Sequence, residues 1–126
     1  MREQCERLRP DVVLIEDKAS GTQLIQELLA DGLHAVTRYR PQSDKVMRMH
    51  AQTAMIENGF VHLPEAAPWL AQYVAELTTF PNGKHDDQVD STAQMLDWFK
   101  SAAREPGGLY AYYRMLAQMR TFADPV

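Results

Sequence analysis

Two acidic segments carry the residue types that could bind a divalent metal ion. Glu16 and Asp17 follow an apolar run, and three further aspartates, at 86, 87 and 90, lie together later in the chain. Asp87 and Asp90 are three positions apart, so on a helix they share a face and can hold one ion. Carboxylates are ligands that Mg²⁺ and Mn²⁺ prefer, and two ions about 3.5–4 Å apart can hold a scissile phosphate. These residue types therefore point to metal-dependent phosphodiester hydrolysis.

Each acidic segment also has a simpler explanation. Acidic residues in the first turn of a helix complement its dipole, so Asp86 and Asp87 could be capping residues. Glu16 and Asp17 could be an ordinary solvated loop entry. His85 is adjacent to the aspartates, where a surface or supporting role is more common than metal ligation. The acids alone leave a metal site and these simpler roles open.

Basic residues could form a rim that faces a phosphate backbone, although scattered cations are usually solvated. The residues in question are Lys18, Arg38, Arg40, Lys45 and Arg48. The formal net charge is −4, so any contact with DNA must be local. The tyrosines at 110, 112 and 113 favour packing over base stacking.

Length and composition indicate one modest domain. The chain has 126 residues, of which 45% are hydrophobic, and a single cysteine. One free thiol fits a reducing compartment. The sequence contains neither the roughly 18–20 apolar residues that cross a membrane nor a signal peptide. We therefore expect a soluble protein in the cytoplasm of the host cell, without a membrane partner.

Alternating strand and helix patterns predict an α/β fold with a mainly parallel sheet. An initial helix is expected to end at Pro10. Short apolar runs then predict strands at 11–16, 34–37 and 60–63. The run at 11–16 is typical of a strand buried on both faces. The two acids at 16 and 17 then lie at its carboxyl end, where open α/β sheets bind ligands.

Four helices are expected: one after each of the three strands and a fourth after the turn at 80–83. The first begins with Ser20 as its cap and ends at Asp31 and Gly32, and the second runs from a Ser43 cap to about Asn58. The others cover 69–77 and run from 86 to about 105. We expect residues 1–106 to form the domain and 107–126 a tail with a short helix.

Five ordered blocks resemble the C-terminal nuclease domain of tailed-phage terminase large subunits. The most specific are Ile-Glu-Asp-Lys-Ala-Ser-Gly at 15–21 and His-Asp-Asp-Gln-Val-Asp at 85–90. The supporting blocks lie at 44–48, 58–64 and 76–81. The resemblance implies a ribonuclease H-like fold, related to Holliday-junction resolvases, and an endonuclease that uses two Mg²⁺ or Mn²⁺ ions to cut concatemeric phage DNA.

The same resemblance implies roles for individual residues. Glu16 corresponds to the second catalytic acid, with Asp17 as the alternative. Asp87 and Asp90 correspond to the third acidic position, and Asp86 is a further possible metal ligand. The expected contacts with the DNA backbone involve Lys18, Lys45, Arg48, Lys84 and His85, and Lys45 and Arg48 could instead support the acidic cluster. The spacing of Asp87 and Asp90 also resembles that of the related resolvases, so an enzyme specific for branched DNA is an alternative interpretation.

The sequence departs from the family pattern at its start. Family members begin with a strand that carries the first catalytic aspartate, and no such strand or aspartate occurs before Glu3. Asp11 cannot replace this aspartate, because it lies at the start of its strand, at the opposite end from Glu16. No Gly-x-x-x-x-Gly-Lys phosphate loop occurs either. We therefore expect weak metal binding and slow or absent cleavage by this chain alone. A catalytically incomplete prophage remnant that only binds a partner is the alternative.

The resemblance also implies partners. They are double-stranded DNA and, in the full protein, an ATPase domain, the small terminase subunit and the portal. Lack of the first strand would expose the edge of the strand at 11–16, and exposed edges pair with other chains. We therefore expect self-association through this edge.

Overall fold

The computed structural model describes residues 1–104 together with Arg114, Ala117 and Gln118. It divides into two compact units, Met1–Ser43 and Asp44–Val126. The predicted tail helix at 107–126 lies outside the described residues, apart from those three positions, which are helical. Across the described part of the chain, no helix is both long and apolar enough to cross a membrane.

The first unit contains two helices and two strands. They are α1 (Arg2–Leu8), β1 (Val13–Glu16), α2 (Ser20–Ala30) and β2 (Val36–Tyr39). Helix α1 ends before Pro10, as the sequence predicts, and Arg9 closes it with a left-handed backbone at φ 45°. The second strand begins two residues later than predicted. The predicted strand–helix–strand order of this unit is confirmed.

The strands β1 and β2 form a parallel pair in which Val13 lies opposite Val36 and Glu16 opposite Tyr39. Its core consists of Ile15, Val36 and two residues of α2, Ile25 and Leu28. Helix α2 therefore covers one face of the pair. The prediction that β1 is buried on both faces is wrong, because Ile15 is its one buried residue and its neighbours are only half-buried.

The second unit contains four helices among its described residues. They are α3 (Lys45–His50), α4 (Thr53–Glu57), α5 (Leu70–Thr79) and α6 (Asp87–Arg104). Helix α6 packs against α3 and α5. Its buried residues Val89, Ala93 and Leu96 recur at helical spacing, as predicted. This periodicity buries one face of α6 and leaves Asp87 exposed and Asp90 half-buried in its first turn.

Two predictions for the second unit are wrong. The single helix expected from Ser43 to Asn58 is split into α3 and α4, and its cap is Asp44, whose side chain accepts from the Met47 N–H. At the break, the Thr53 hydroxyl donates to the His50 carbonyl at 2.7 Å, and such side-chain bonds compete with regular helix. The strand predicted at 60–63 does not form, because a strand needs a hydrogen-bonded neighbour and the described part of this unit contains none.

Candidate functional site

A tight turn of three residues joins Glu16, at the end of β1, to the start of α2. Ala19 precedes α2 with a positive φ of 49°, instead of the predicted Ser20 cap. Gly21 packs so closely against the strand end that a Cβ there would lie 2.1 Å from the Glu16 carbonyl oxygen. Only glycine fits at this contact, because the obstacle is backbone and cannot rotate away. Gly21 therefore sets the distance between the helix and the strand end that carries Glu16.

The adjacent acids Glu16 and Asp17 project from opposite faces of the strand pair. Successive side chains of a strand alternate, so Asp17 shares the face of Ile15, which packs under α2. In agreement, the Thr22 hydroxyl of α2 donates to Asp17 Oδ1 at 2.9 Å. Glu16 lies on the other face, half-buried, and its carboxylate has no hydrogen-bond or ion-pair partner among the described residues.

Asp17 is held by two arginines as well as by Thr22. Arg40 donates through Nε and Nη2 to Asp17 Oδ2, at 3.2 and 3.1 Å, and Arg38 Nη1 donates to the same oxygen at 3.4 Å. The Asp17 side chain is only 8% exposed. The Thr22 hydroxyl, followed by the Arg40 guanidinium, lowers the pKa of Asp17 from its ordinary value of 3.8. Asp17 is thus a buried anion with its partners already in place.

The aspartates of the second unit lie at the start of α6. The Asp86 carbonyl accepts the first helical hydrogen bond, from Asp90 N–H, and Asp87 is the first residue of the helix. Asp87 and Asp90 therefore occupy the first turn, as predicted. The Asp87 side chain is exposed and has no partner in the described part of the chain. Lys84 and His85, in the preceding turn, are also exposed.

Two basic residues of α3 bind the carboxylates of Asp86 and Asp90. Lys45 Nζ lies 3.2 Å from Asp86 Oδ2 and 2.7 Å from Asp90 Oδ2. Arg48 Nη2 forms an ion pair with Asp90 Oδ1 at 3.6 Å, and the Arg48 side chain is buried. The bond to Asp90, followed by that to Asp86, raises the pKa of Lys45 above its ordinary value of 10.5. These contacts support the acidic turn, which is one of the two roles expected for Lys45 and Arg48.

The side chain of Glu76, on α5, caps the start of α6. Glu76 Oε1 accepts from the backbone N–H of Gln88 at 2.7 Å and of Val89 at 3.2 Å, and Oε2 accepts from Gln88 Nε2 at 2.9 Å. A carboxylate here satisfies free amide groups and complements the helix dipole. Glu76 lies in the block at 76–81 that resembles the terminase family, but it was not predicted as a site residue. Local spacing does not indicate the cap, because Gln88 is twelve residues away.

The carboxylates of Asp86, Asp87 and Asp90 are suitable ligands for a divalent ion, but two of them are already occupied by a cationic side chain. The Lys45 ammonium group already bridges Asp86 and Asp90. Within the described residues, no group of three or more histidine, cysteine or acidic side chains could hold a metal ion. As placed, the acidic turn of this unit does not by itself fit a bound divalent cation. The predicted metal ligands Glu16, Asp86, Asp87 and Asp90 stay predictions.

Comparison with known proteins identifies a family. Residues 1–97 match the family model described as a terminase RNaseH-like domain, and this match includes both acidic segments. Neither the curated proteins nor the solved structures include a significant match. The family match and the parallel, helix-flanked strand pair confirm the predicted ribonuclease H-like α/β fold. The chain belongs to the family of terminase RNaseH-like domains.

Proposed function

We propose that the chain is the DNA endonuclease domain of a phage packaging terminase and hydrolyses phosphodiester bonds of concatemeric double-stranded DNA. The observation that carries this proposal is the family match over residues 1–97, which spans Glu16 and the aspartates of α6. Double-stranded DNA is the substrate under this proposal. An ATPase domain, the small terminase subunit and the portal are its partners in the packaging assembly.

The proposed catalytic acids are Glu16, Asp87 and Asp90. Glu16 and Asp87 have carboxylates without partners among the described residues, so both are available to a ligand. Asp17 fits less well, because Thr22 and two arginines already engage its carboxylate. We include Mg²⁺ or Mn²⁺ in the proposal as the cofactor that this chemistry ordinarily uses. Asp86 and Asp90 would first have to leave Lys45 in order to bind such an ion.

A plasmid-nicking assay tests the proposal. Supercoiled DNA is incubated with the full chain in Mn²⁺, in Mg²⁺ and in EDTA. We expect slow nicking with metal, which is lost in Glu16→Gln and in Asp87→Asn and retained in Glu57→Gln, an exposed control on α4. The expected loss is at least about a hundredfold, the size found when one group that stabilises charge in a transition state is removed. Equal nicking by wild type and both variants would rule out these acids.

A second candidate is a non-catalytic domain that binds DNA or a partner protein. The ion pairs of Lys45 with Asp86 and Asp90 favour it, because they neutralise acids that a metal site needs. The same assay separates the candidates. Binding of DNA without nicking in either metal supports the non-catalytic reading. Metal-dependent nicking that requires Glu16 and Asp87 excludes it. A preference for four-way over linear DNA would indicate a resolvase instead of a terminase.

A further inference from the structure

Two arginines at the end of β2 form a charged surface that the proposed hydrolysis leaves without a role. We call it the arginine surface, and it consists of Arg38, Arg40 and the Asp17 carboxylate that holds both. The arginines are two positions apart, so they share the α2 face of the strand pair with Asp17. The side chain of Arg38 is 41% exposed and that of Arg40 is 75% exposed. Glu16 projects from the opposite face, so the arginine surface is distinct from it.

The arginine surface carries more positive charge than Asp17 needs. One guanidinium neutralises one carboxylate, so two arginines and one aspartate leave a charge of +1. Glu16 and Lys18, the two neighbours of Asp17 in the sequence, carry opposite charges and leave this balance unchanged. The whole chain has a formal net charge of −4. This local excess of positive charge favours an anionic ligand.

The two guanidinium groups also retain unused donors. Each guanidinium has five N–H donors. Arg40 uses Nε and one N–H of Nη2 for Asp17, and Arg38 uses one N–H of Nη1. The remaining donors have no partner among the described residues. A guanidinium already oriented by a carboxylate loses less freedom on binding, and its fork matches the oxygens of a phosphodiester.

We infer that Arg38 and Arg40 bind the phosphodiester backbone of double-stranded DNA and that Asp17 is a positioning residue that orients both guanidinium groups. The choice of DNA as the anion rests on the proposed nuclease function. The inference assigns Asp17 to DNA binding rather than to catalysis. It also selects Arg38 and Arg40 from the basic residues for which the sequence left both a phosphate-facing rim and ordinary solvation open.

Binding of a fluorescent DNA duplex to the full chain, measured by anisotropy in EDTA, tests this inference without cleavage. We expect the double variant Arg38→Gln/Arg40→Gln to bind at least about tenfold more weakly, which corresponds to the loss of one charge-assisted hydrogen bond. The slope of log affinity against log salt should fall by about 1.8, or about 0.9 for each lost phosphate contact. The matched control, Arg7→Gln/Arg9→Gln, removes the same charge from exposed positions and should bind like wild type.

The variant Asp17→Asn distinguishes orientation from simple attraction. It makes the surface more positive by one charge, so a diffuse electrostatic patch would bind DNA more tightly. If Asp17 orients the arginines, affinity falls instead, and Asp17→Glu restores part of it. Higher affinity in Asp17→Asn would overturn the positioning role. Binding by the double variant equal to that of its control, or no binding of duplex DNA by wild type, would overturn the inference.

Folding and nuclease activity are checked separately. Circular dichroism verifies that each variant is folded. If the double variant is not, Arg40→Gln replaces it, because this side chain is largely exposed. Metal-dependent nicking with arginine-independent binding would contradict the inference and leave the proposed function intact. Arginine-dependent binding without nicking in any metal would contradict the proposed nuclease and leave the inference intact.

Discussion

Glu76 on α5 accepts hydrogen bonds from both the backbone and the side-chain N–H groups of Gln88, the second residue of α6, at 2.7 and 2.9 Å. One helix thus supplies the cap of the next. The capped turn carries Asp87 and Asp90, and Lys45 and Arg48 hold Asp90 from α3. The position of these acids therefore depends on three helices of the second unit.

Removing this cap should destabilise the chain. We expect Glu76→Ala to lower the free energy of unfolding by about 1–2 kcal/mol, because amide groups at the start of α6 lose a charged acceptor. Urea denaturation measures the change. The control is Glu65→Ala, since Glu65 is exposed and outside the helices. Equal stability of the two variants would show that the Glu76 contacts contribute no net stability.

A methyl group at Gly21 should disrupt the turn between β1 and α2. The Cβ of Gly21→Ala would lie 2.1 Å from the Glu16 carbonyl oxygen, so strand and helix must separate. Overpacking of this kind costs about 1–3 kcal/mol, and we expect the upper part of that range because the obstacle is backbone. Thermal and urea unfolding measure the loss. Ser20→Ala, one residue earlier and exposed, should change stability little. A Gly21→Ala variant as stable as wild type would contradict the close packing.

Acid should remove the stabilisation that Asp17 provides. Its pKa is lowered in the folded chain, chiefly by the Thr22 hydroxyl and then by Arg40. A lowered pKa gives stability that is present above the ordinary value of 3.8 and is lost as the pH falls toward the folded value. The stability difference between wild type and Asp17→Asn should therefore be constant near neutral pH and shrink below about pH 3.8. Urea denaturation at several pH values measures it, with exposed Asp11→Asn as the control. A difference that persists unchanged in acid would exclude the ionic contribution.

Alkali should remove the stabilisation that Lys45 provides. The pKa of Lys45 is raised, first by Asp90 and then by Asp86, so its contribution is complete below pH 10.5 and is lost as the pH rises through the folded value. The side chain is 50% exposed, so solvent screens the pair and we expect less than about 1 kcal/mol. The difference in unfolding free energy between wild type and Lys45→Met should disappear in strong alkali and shrink at high salt. Lys84→Met, which replaces an exposed lysine without a partner among the described residues, should show neither effect.

Local sequence patterns were sufficient for several elements. The apolar run before Glu16 predicted β1, and the spacing of Val89, Ala93 and Leu96 predicted α6, because burial of one face imposes these periods. Patterns failed where the outcome depends on a partner. The strand at 60–63 has strand-forming residues but no neighbouring strand in the described part of its unit, and the helix after Asp44 breaks where Thr53 bonds to His50.

The sequence by itself determined the α/β class, the family, and the presence of acids at a strand end and in the first turn of a helix. Those properties follow from residue type and order. The tertiary structure alone decided what each acid contacts. The carboxylates of Glu16 and Asp87 have no partner among the described residues, whereas Asp17 and Asp90 form ion pairs with arginine and lysine side chains. Such contacts join residues up to 45 positions apart in the chain, as between Lys45 and Asp90. Spacing along the sequence cannot show them, because packing of whole elements brings these side chains together.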